Sequence, residues 1–322
     1  MKAAAYHRTG PPDVFEYLDV PDPECRSSGV VIRVEAVSIE GGDVLNRAGG
    51  MLTGDPHIVG YQCAGTVVEV GESAAAAGAA EGQRVVVTMA NGSHAELVSV
   101  PYASVWPVPD GADIVAAACV PVAFGTADDC LFEFGKLVGG ETVLVQAGAG
   151  GVGIAAIQLA KRAGATVLAT ASSADKLERI GHLGVDHGIN YKEHNAAEEA
   201  RRLTDGRGVD LVVDPVGGST LQGSLGALAN RGRAITVGNA GRERIAIDAS
   251  PLMGINGSLT GVFLGAEIAT PRVREMIGRH IADVASGDLE VIVDRTFPLA
   301  DAAAAHAYIE SRAAVGRVVL IP

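Results

Sequence analysis

No run of 18 apolar residues free of charge occurs in the sequence, so no membrane-spanning helix is predicted. The opening stretch MKAAAYHRTG lacks the apolar centre of a secretory signal, which leaves the cytoplasm as the expected compartment. Cysteine is scarce as well. Cys25, Cys63, Cys119 and Cys130 lie far apart with no CxxC pair, a pattern that excludes a disulfide framework or a structural zinc cluster and reads as four small buried hydrophobes. Basic residues are outnumbered, 25 Lys and Arg against 38 Asp and Glu, for a formal net charge of −13. Such a chain lacks the broad cationic surface that nucleic acid needs, and an anionic ligand must be met by local devices.

What is present is apolar and rich in turns. The 322 residues are 48% hydrophobic and include 42 glycines; the length suits two domains, one of which can draw on both chain ends. Up to about residue 122, short β-branched runs such as GVVIRVEAVSI, CAGTVVEVG and QRVVVTM alternate with Gly, Pro and Asp turns and predict a compact, partly barrel-like β domain. The alanine-rich ESAAAAGAAEGQ reads as a surface turn before the strand at Arg84. From about residue 124 the rhythm becomes strand, helix, strand: TVLVQ, ATVLAT, HGINY, VDLVVD, RAITVG and SLTGVFL alternate with helical stretches such as VGIAAIQLAKRAG. Six nearly continuous apolar strands among helices predict an α/β fold with a doubly wound parallel sheet. After Leu264, a helix, short extended pieces, a second helix and the strand GRVVLIP predict a return to the first domain. The expected division is therefore 1–123 with 265–322, and 124–264.

Gly148, Gly150 and Gly153 form GxGxxG directly after the strand TVLVQ and before a helix, the context in which this pattern marks a dinucleotide site. The first glycine permits the tight turn, the second lets backbone N–H groups approach a pyrophosphate, and the third lets helix pack on strand. About 20 residues on, an NAD-binding chain would carry an acid for the ribose 2′-hydroxyl. Here that stretch is LATASS. Its end is neutral, Ser172 and Ser173 offer hydroxyls, and Lys176 follows, so NADPH is favoured over NADH. Two other readings of these residues stand beside this one: a serine as the cap of the helix starting near Ala174 with Lys176 solvated, and Asp175 as a displaced ribose acid.

The chain resembles the zinc-independent quinone oxidoreductases of the medium-chain dehydrogenase/reductase superfamily, the zeta-crystallin-like proteins. The resemblance rests on GYQCAGTVVEVG (60–71), EGQRV (81–85), QAGAGGVG (146–153), GVDHGINY (184–191), DPVGG (214–218), ITVGNAG (235–241) and the closing ESRAAVGRVVLIP, and it spans essentially the whole chain. It implies a GroES-like catalytic domain from both chain ends, a Rossmann domain between, and a substrate cleft where they meet. By the same resemblance, Ser172, Lys176 and Tyr191 would surround the adenosine 2′-phosphate, with Arg317 arriving from the other domain. Thr126 and the loop Gly150, Gly151 and Val152 would sit on the pyrophosphate, Gly238 and Asn239 would line the central ribose, and Phe263 with Leu264 would face the nicotinamide.

In the zinc-dependent relatives the metal is held by Cys, His and a further Cys or acid; the corresponding positions here are Glu40, Tyr61 and Val122. Two of the three cannot bind zinc, so no metal is expected. Hydride donation to an electron-poor acceptor needs only alignment and charge stabilisation, which points to a quinone or an α,β-unsaturated carbonyl compound as substrate. The first loop departs from the family pattern: in IEGGDVLNRAGGM, Asp43 and Arg47 match, but Glu40 replaces Asn and Met51 replaces Tyr. A carboxylate there would oppose a developing enolate unless it carried a proton, so Glu40, with Tyr61, is the candidate proton donor, against the alternative that it is paired with Arg47 or solvated. Two further functions stay open on the sequence alone, a non-catalytic NADPH-binding protein and a zinc-free ketone or alcohol reductase. The strand in GSLTGVFLG is expected at a sheet edge, which suggests a homodimer.

Overall fold

The computed structural model describes all 322 residues, and they divide into two compact units: Met1–Val122 with Ala269–Pro322, and Ala123–Ile268. The boundaries expected from the sequence lie at 123/124 and 264/265; in the structure the short helix Leu264–Glu267 stays with the second unit. No helix is long and apolar enough to cross a membrane.

The first unit is built on a seven-stranded sheet. Its order is Val293–Pro298, Arg317–Ile321, Gly29–Ser38, Gln62–Val70, Arg84–Thr88 and Val105–Pro107, with Leu97–Pro101 also paired to Gly29–Ser38. The long strand Gly29–Ser38 organises the unit because its four valines and Ile32 are buried while it pairs with three neighbours. Val30, Ile32, Val34, Val67, Val85 and Val100 share one core with Leu299, Ala305, Val318 and Leu320 from the far end of the chain. The alanine-rich stretch is not simply a turn: Glu72–Ala76 forms a short helix with Ala74 buried, since alanine in sequence favours the helical backbone.

The second unit holds six parallel strands in the order His187–Asn190, Thr166–Ala171, Thr142–Val145, Val209–Asp214, Leu228–Thr236 and Ser258–Gly261. Counted along the unit this is 3-2-1-4-5-6, the doubly wound order, with its reversal between Thr142–Val145 and Val209–Asp214. Leu144, Leu168, Ile189, Val212, Leu225 and Leu228 fill one face of the sheet. Ser258–Gly261 closes the sheet at one edge, as the sequence led us to expect.

Candidate functional site

In the second unit the strands end together, and the expected coenzyme residues follow those ends. Ala171 is in register with Asn190, and Asp214 with Thr236, which in turn pairs with Gly261. Gly148, Ser172, Tyr191, Gly238 and Phe263 thus lie a few residues beyond the carboxyl ends of five neighbouring strands, the edge at which doubly wound sheets bind ligands. Gly150 caps the helix Gly151–Arg162, so Gly151, Val152 and Gly153 form its first turn and carry N–H groups without helical partners. A β-carbon on Gly153 would lie 2.7 Å from Gly148 Cα, and one on Gly148 would meet Ala169 Cβ at 3.0 Å. Only glycine lets the turn, helix and strand come this close. The cradle therefore fits a diphosphate laid on the helix start.

The strand end expected to read the adenosine ribose, after Ala171, is neutral. Ser173 Oγ accepts from Lys176 N at 3.3 Å and so caps the helix Ala174–Gly181, which is the alternative role the sequence held open. Ser172 and Lys176 are partly exposed and Tyr191 is 44% exposed, its backbone N–H donating to Ala171 O at 3.1 Å. Asp175 sits in the first helical turn, where a negative charge suits the helix dipole. A β-carbon on Gly238 would approach Pro215 O to 2.7 Å, so this turn and the neighbouring Asn239 lie tight against the turn after Asp214. Thr126 is buried in the helix Val120–Asp128. Phe263 is 75% exposed, whereas Leu264 is buried and presents little side chain to any ligand.

The first unit contains a buried polar cluster around Glu40. The strand Gly29–Ser38 delivers Ser38, and Glu40 precedes the helix Gly41–Gly49, where its backbone N–H donates to Asp43 Oδ2 at 2.8 Å. Glu40 Oε1 accepts from Arg317 Nη2 and Gln62 Nε2, with Ser38 Oγ at 3.4 Å. Arg317 further donates to Ser38 Oγ at 2.7 Å and Ile39 O at 2.8 Å, while Gln62 Oε1 accepts from Val122 N at 3.0 Å. This corrects two expectations. Arg317 is committed inside its own unit to a buried ion pair, so its guanidinium is not available to an adenosine phosphate. Arg47 is not the partner of Glu40 either; it pairs with Glu310 and donates to Gly10 O at 2.5 Å.

Burial raises the Glu40 pKa above the ordinary carboxylate value, with the Arg317 charge and hydrogen bond opposing it. Asp43 is pushed well up by burial, and its Oδ1 has no partner, as suits a protonated carboxyl. The Tyr61 phenol is raised by burial, then by Asp43 and Glu40, and so keeps its proton. A methyl group on Gly42 would overlap that hydroxyl, so the glycine before Asp43 makes room for it. Cys119, beside Ser38 and Arg317, is raised by burial and stays a thiol. The cluster can do two things: keep a carboxyl and a phenol protonated, and place a fixed positive charge next to them.

The comparisons with known proteins agree with this architecture. Residues 151–280 match a family described as "Zinc-binding dehydrogenase", and residues 26–110 match "Alcohol dehydrogenase GroES-like domain". A 2-haloacrylate reductase from a Burkholderia species is 33% identical, the alignment covering 100% of this chain and 99% of the relative. The quinone oxidoreductase of Pseudomonas aeruginosa is likewise 33% identical, with the same shares covered. Among solved structures, the Escherichia coli quinone oxidoreductase complexed with NADPH superposes with a TM-score of 0.93 at 27% identity, covering 100% of both chains. A mycobacterial protein complexed with NADPH gives 0.93 at 34% identity, also over 100% of both.

The first of the matched families is described by its metal, and the residues here do not fit one. The only carboxylate at the position concerned already faces a guanidinium, which repels a cation, and the accompanying side chains are those of Tyr61 and Val122. A tyrosine kept protonated and a valine cannot replace the thiolate and imidazole that zinc takes. With whole-length relatives, matching domains and this donor set, the chain belongs to the zinc-independent quinone oxidoreductase branch of the medium-chain dehydrogenase/reductase superfamily.

Proposed function

We propose that the chain is an NADPH-dependent reductase that adds hydride and a proton across an activated double bond, in a quinone or an α,β-unsaturated carbonyl compound, without a metal. The observation that carries this reading is the buried pair of Arg317 with a Glu40 whose pKa is raised. The neutral strand end around Ser172 and Ser173 supports the phosphorylated coenzyme, and two whole-length relatives named for quinone and 2-haloacrylate reduction support the acceptor class.

The reduced nicotinamide supplies the hydride. The backbone N–H groups of Gly151, Val152 and Gly153 would hold the pyrophosphate, with Gly148 and Gly150 keeping the turn tight and Thr126 beside the phosphates; Ser172, Ser173, Lys176 and Tyr191 would receive the 2′-phosphate end, and Gly238, Asn239 and Phe263 would line the remainder, with Leu264 packed behind them. When hydride reaches the β-carbon, electron density moves to the carbonyl oxygen. On this reading Tyr61 and a protonated Glu40 would be the donors to that oxygen, and Arg317 would offset the charge left on the carboxyl. One proton completes the product, a saturated carbonyl compound or a hydroquinone.

The test is NADPH consumption with 1,4-naphthoquinone, an enone and 2-chloroacrylate, followed by product analysis. A saturated product or a hydroquinone with one equivalent of NADPH oxidised is the expected result. Tight NADPH binding with no turnover on any acceptor refutes the enzyme, and an alcohol product with the alkene intact refutes the acceptor class. The exposed edge Ser258–Gly261, flanked by exposed Met253 and Phe263, is where we place a homodimer contact, which light scattering of wild type and Thr260→Pro tests.

A further inference from the structure

The reversal point of the parallel sheet holds a buried polar chain that no sequence motif singles out. Gln146 follows the strand Thr142–Val145 and is 3% exposed. Thr170 Oγ1 donates to Gln146 Oε1 at 2.8 Å and accepts from Ala147 N at 3.1 Å. On the other side, Gln146 Nε2 donates to Ser224 Oγ at 3.0 Å. Asp214 Oδ2 lies 3.3 Å from the same hydroxyl, and Asp214 Oδ1 accepts from Val216 N at 2.7 Å and Gly217 N at 2.8 Å.

The proton count fixes the directions. The threonine hydroxyl already accepts from a backbone amide, so its one proton goes to the glutamine oxygen, and the amide group must then point at Ser224. Ser224 has Thr220 O at 2.9 Å for its own proton. A protonated Asp214 would complete its coordination, and burial does raise the Asp214 pKa against the pull of those backbone N–H groups. The chain reaches three turns at once: the glycine fingerprint through Ala147, the ribose strand end through Thr170, and the turn at Gly217 and Gly218, both with positive φ, through Asp214. The last turn is the one against which Gly238 and Asn239 rest.

We propose that Gln146 is a positioning residue for the coenzyme: its buried amide ties the pyrophosphate turn and the adenosine strand end to the turn after Asp214, and so sets coenzyme affinity without touching the coenzyme. This rests on the NADPH reading above. Replacement by leucine keeps the volume and leaves the Thr170 and Ser224 hydroxyls buried without their partner.

The experiment measures NADPH affinity by fluorescence titration together with steady-state kinetics and melting temperature, for wild type, Gln146→Leu, Thr170→Val and the double variant. In Gln146→Leu the coenzyme Kd and KM should rise about tenfold while kcat at saturating coenzyme stays within about twofold. Thr170→Val should weaken binding less, and adding it to Gln146→Leu should weaken binding no further, because both cut the same chain. A melting temperature that falls while Kd stays at the wild-type value overturns the inference and leaves Gln146 a packing residue. If Gln146→Leu does not fold, Thr170→Val alone decides in the same way. A wild-type protein that does not bind NADPH refutes the coenzyme reading itself, which separates the two failures.

Discussion

Replacing Arg317 by methionine removes the one fixed positive charge beside Glu40 and nothing else of comparable size. The lost guanidinium made hydrogen bonds to Ser38 Oγ and Ile39 O in addition to the ion pair, all in a buried setting. Breaking a buried pair by removing one partner costs about 3 to 5 kcal/mol, a large share of the roughly 5 to 15 kcal/mol of a typical domain. Glu40 has a way to recover part of it. Its pKa already lies above the free value through burial, and with Arg317 gone the strongest opposing influence disappears, so the pKa moves further up. At about 4 Å and an effective dielectric near 20, one charge pair is worth about 4 kcal/mol, or about 3 pH units as an upper bound. The sign follows from proton binding: the folded variant holds a proton on Glu40 that the unfolded chain has released, so stability is lost as pH rises from the free carboxylate value through the folded one. Urea unfolding should therefore show a larger deficit of Arg317→Met at pH 8 than at pH 5. If the protonated Glu40 is the donor, kcat/KM falls as pH rises through its pKa, and in Arg317→Met that fall shifts to higher pH, while in Glu40→Gln it vanishes. A deficit independent of pH would refute the ion-pair reasoning. A kcat/KM profile unmoved in both variants would refute the role of Glu40 in proton transfer.

Two other outcomes can be checked directly. Ser172→Asp places a carboxylate where the proposed function puts the adenosine phosphate, and the ratio of KM values for NADPH and NADH should move by about tenfold or more toward NADH; an unchanged ratio would show that the phosphate lies elsewhere. His94 and His306 face each other through Nε2 atoms 3.1 Å apart in the first unit, with Phe15 against both rings. Burial lowers His94 to about 3 and His306 well below its usual value, the latter also through His94 and Arg47. Both folded pKa values are depressed, so the unfolded chain takes up protons first, and stability falls below about pH 6.5 by up to about 1.4 kcal/mol per unit for each ring. In His306→Gln the slope of unfolding free energy between pH 6 and pH 5 should drop by about one proton's worth; a slope equal to that of wild type contradicts this.

The second unit could be read from its sequence because its signals are local. Gly148 to Gly153 follow an apolar strand and begin a helix, and six apolar runs separated by helices leave few arrangements for a parallel sheet. The capping role of Ser173 was also present in the spacing, as one of the readings open there. The cluster in the first unit was only half legible. Glu40 and Tyr61 drew attention by departing from a pattern, but the Glu40 partner lies 277 residues away along the chain, and no local periodicity reports such a pairing. Gln62 and Gln146 were hidden for a related reason: an amide becomes informative only once the groups on both of its sides are known. The His94 and His306 contact, 212 residues apart, is of the same kind.

The strand that carries Arg317 is paired to Gly29–Ser38, the strand leading to Glu40, yet it is made only after the whole second unit. Until it emerges, the early part of the first unit has an unfilled strand position and an uncompensated acid. The nascent chain therefore holds the Glu40 corner unfinished while the whole nucleotide-fold segment is synthesised. A chain that stops before Arg317 loses that corner first, however well its earlier part is preserved.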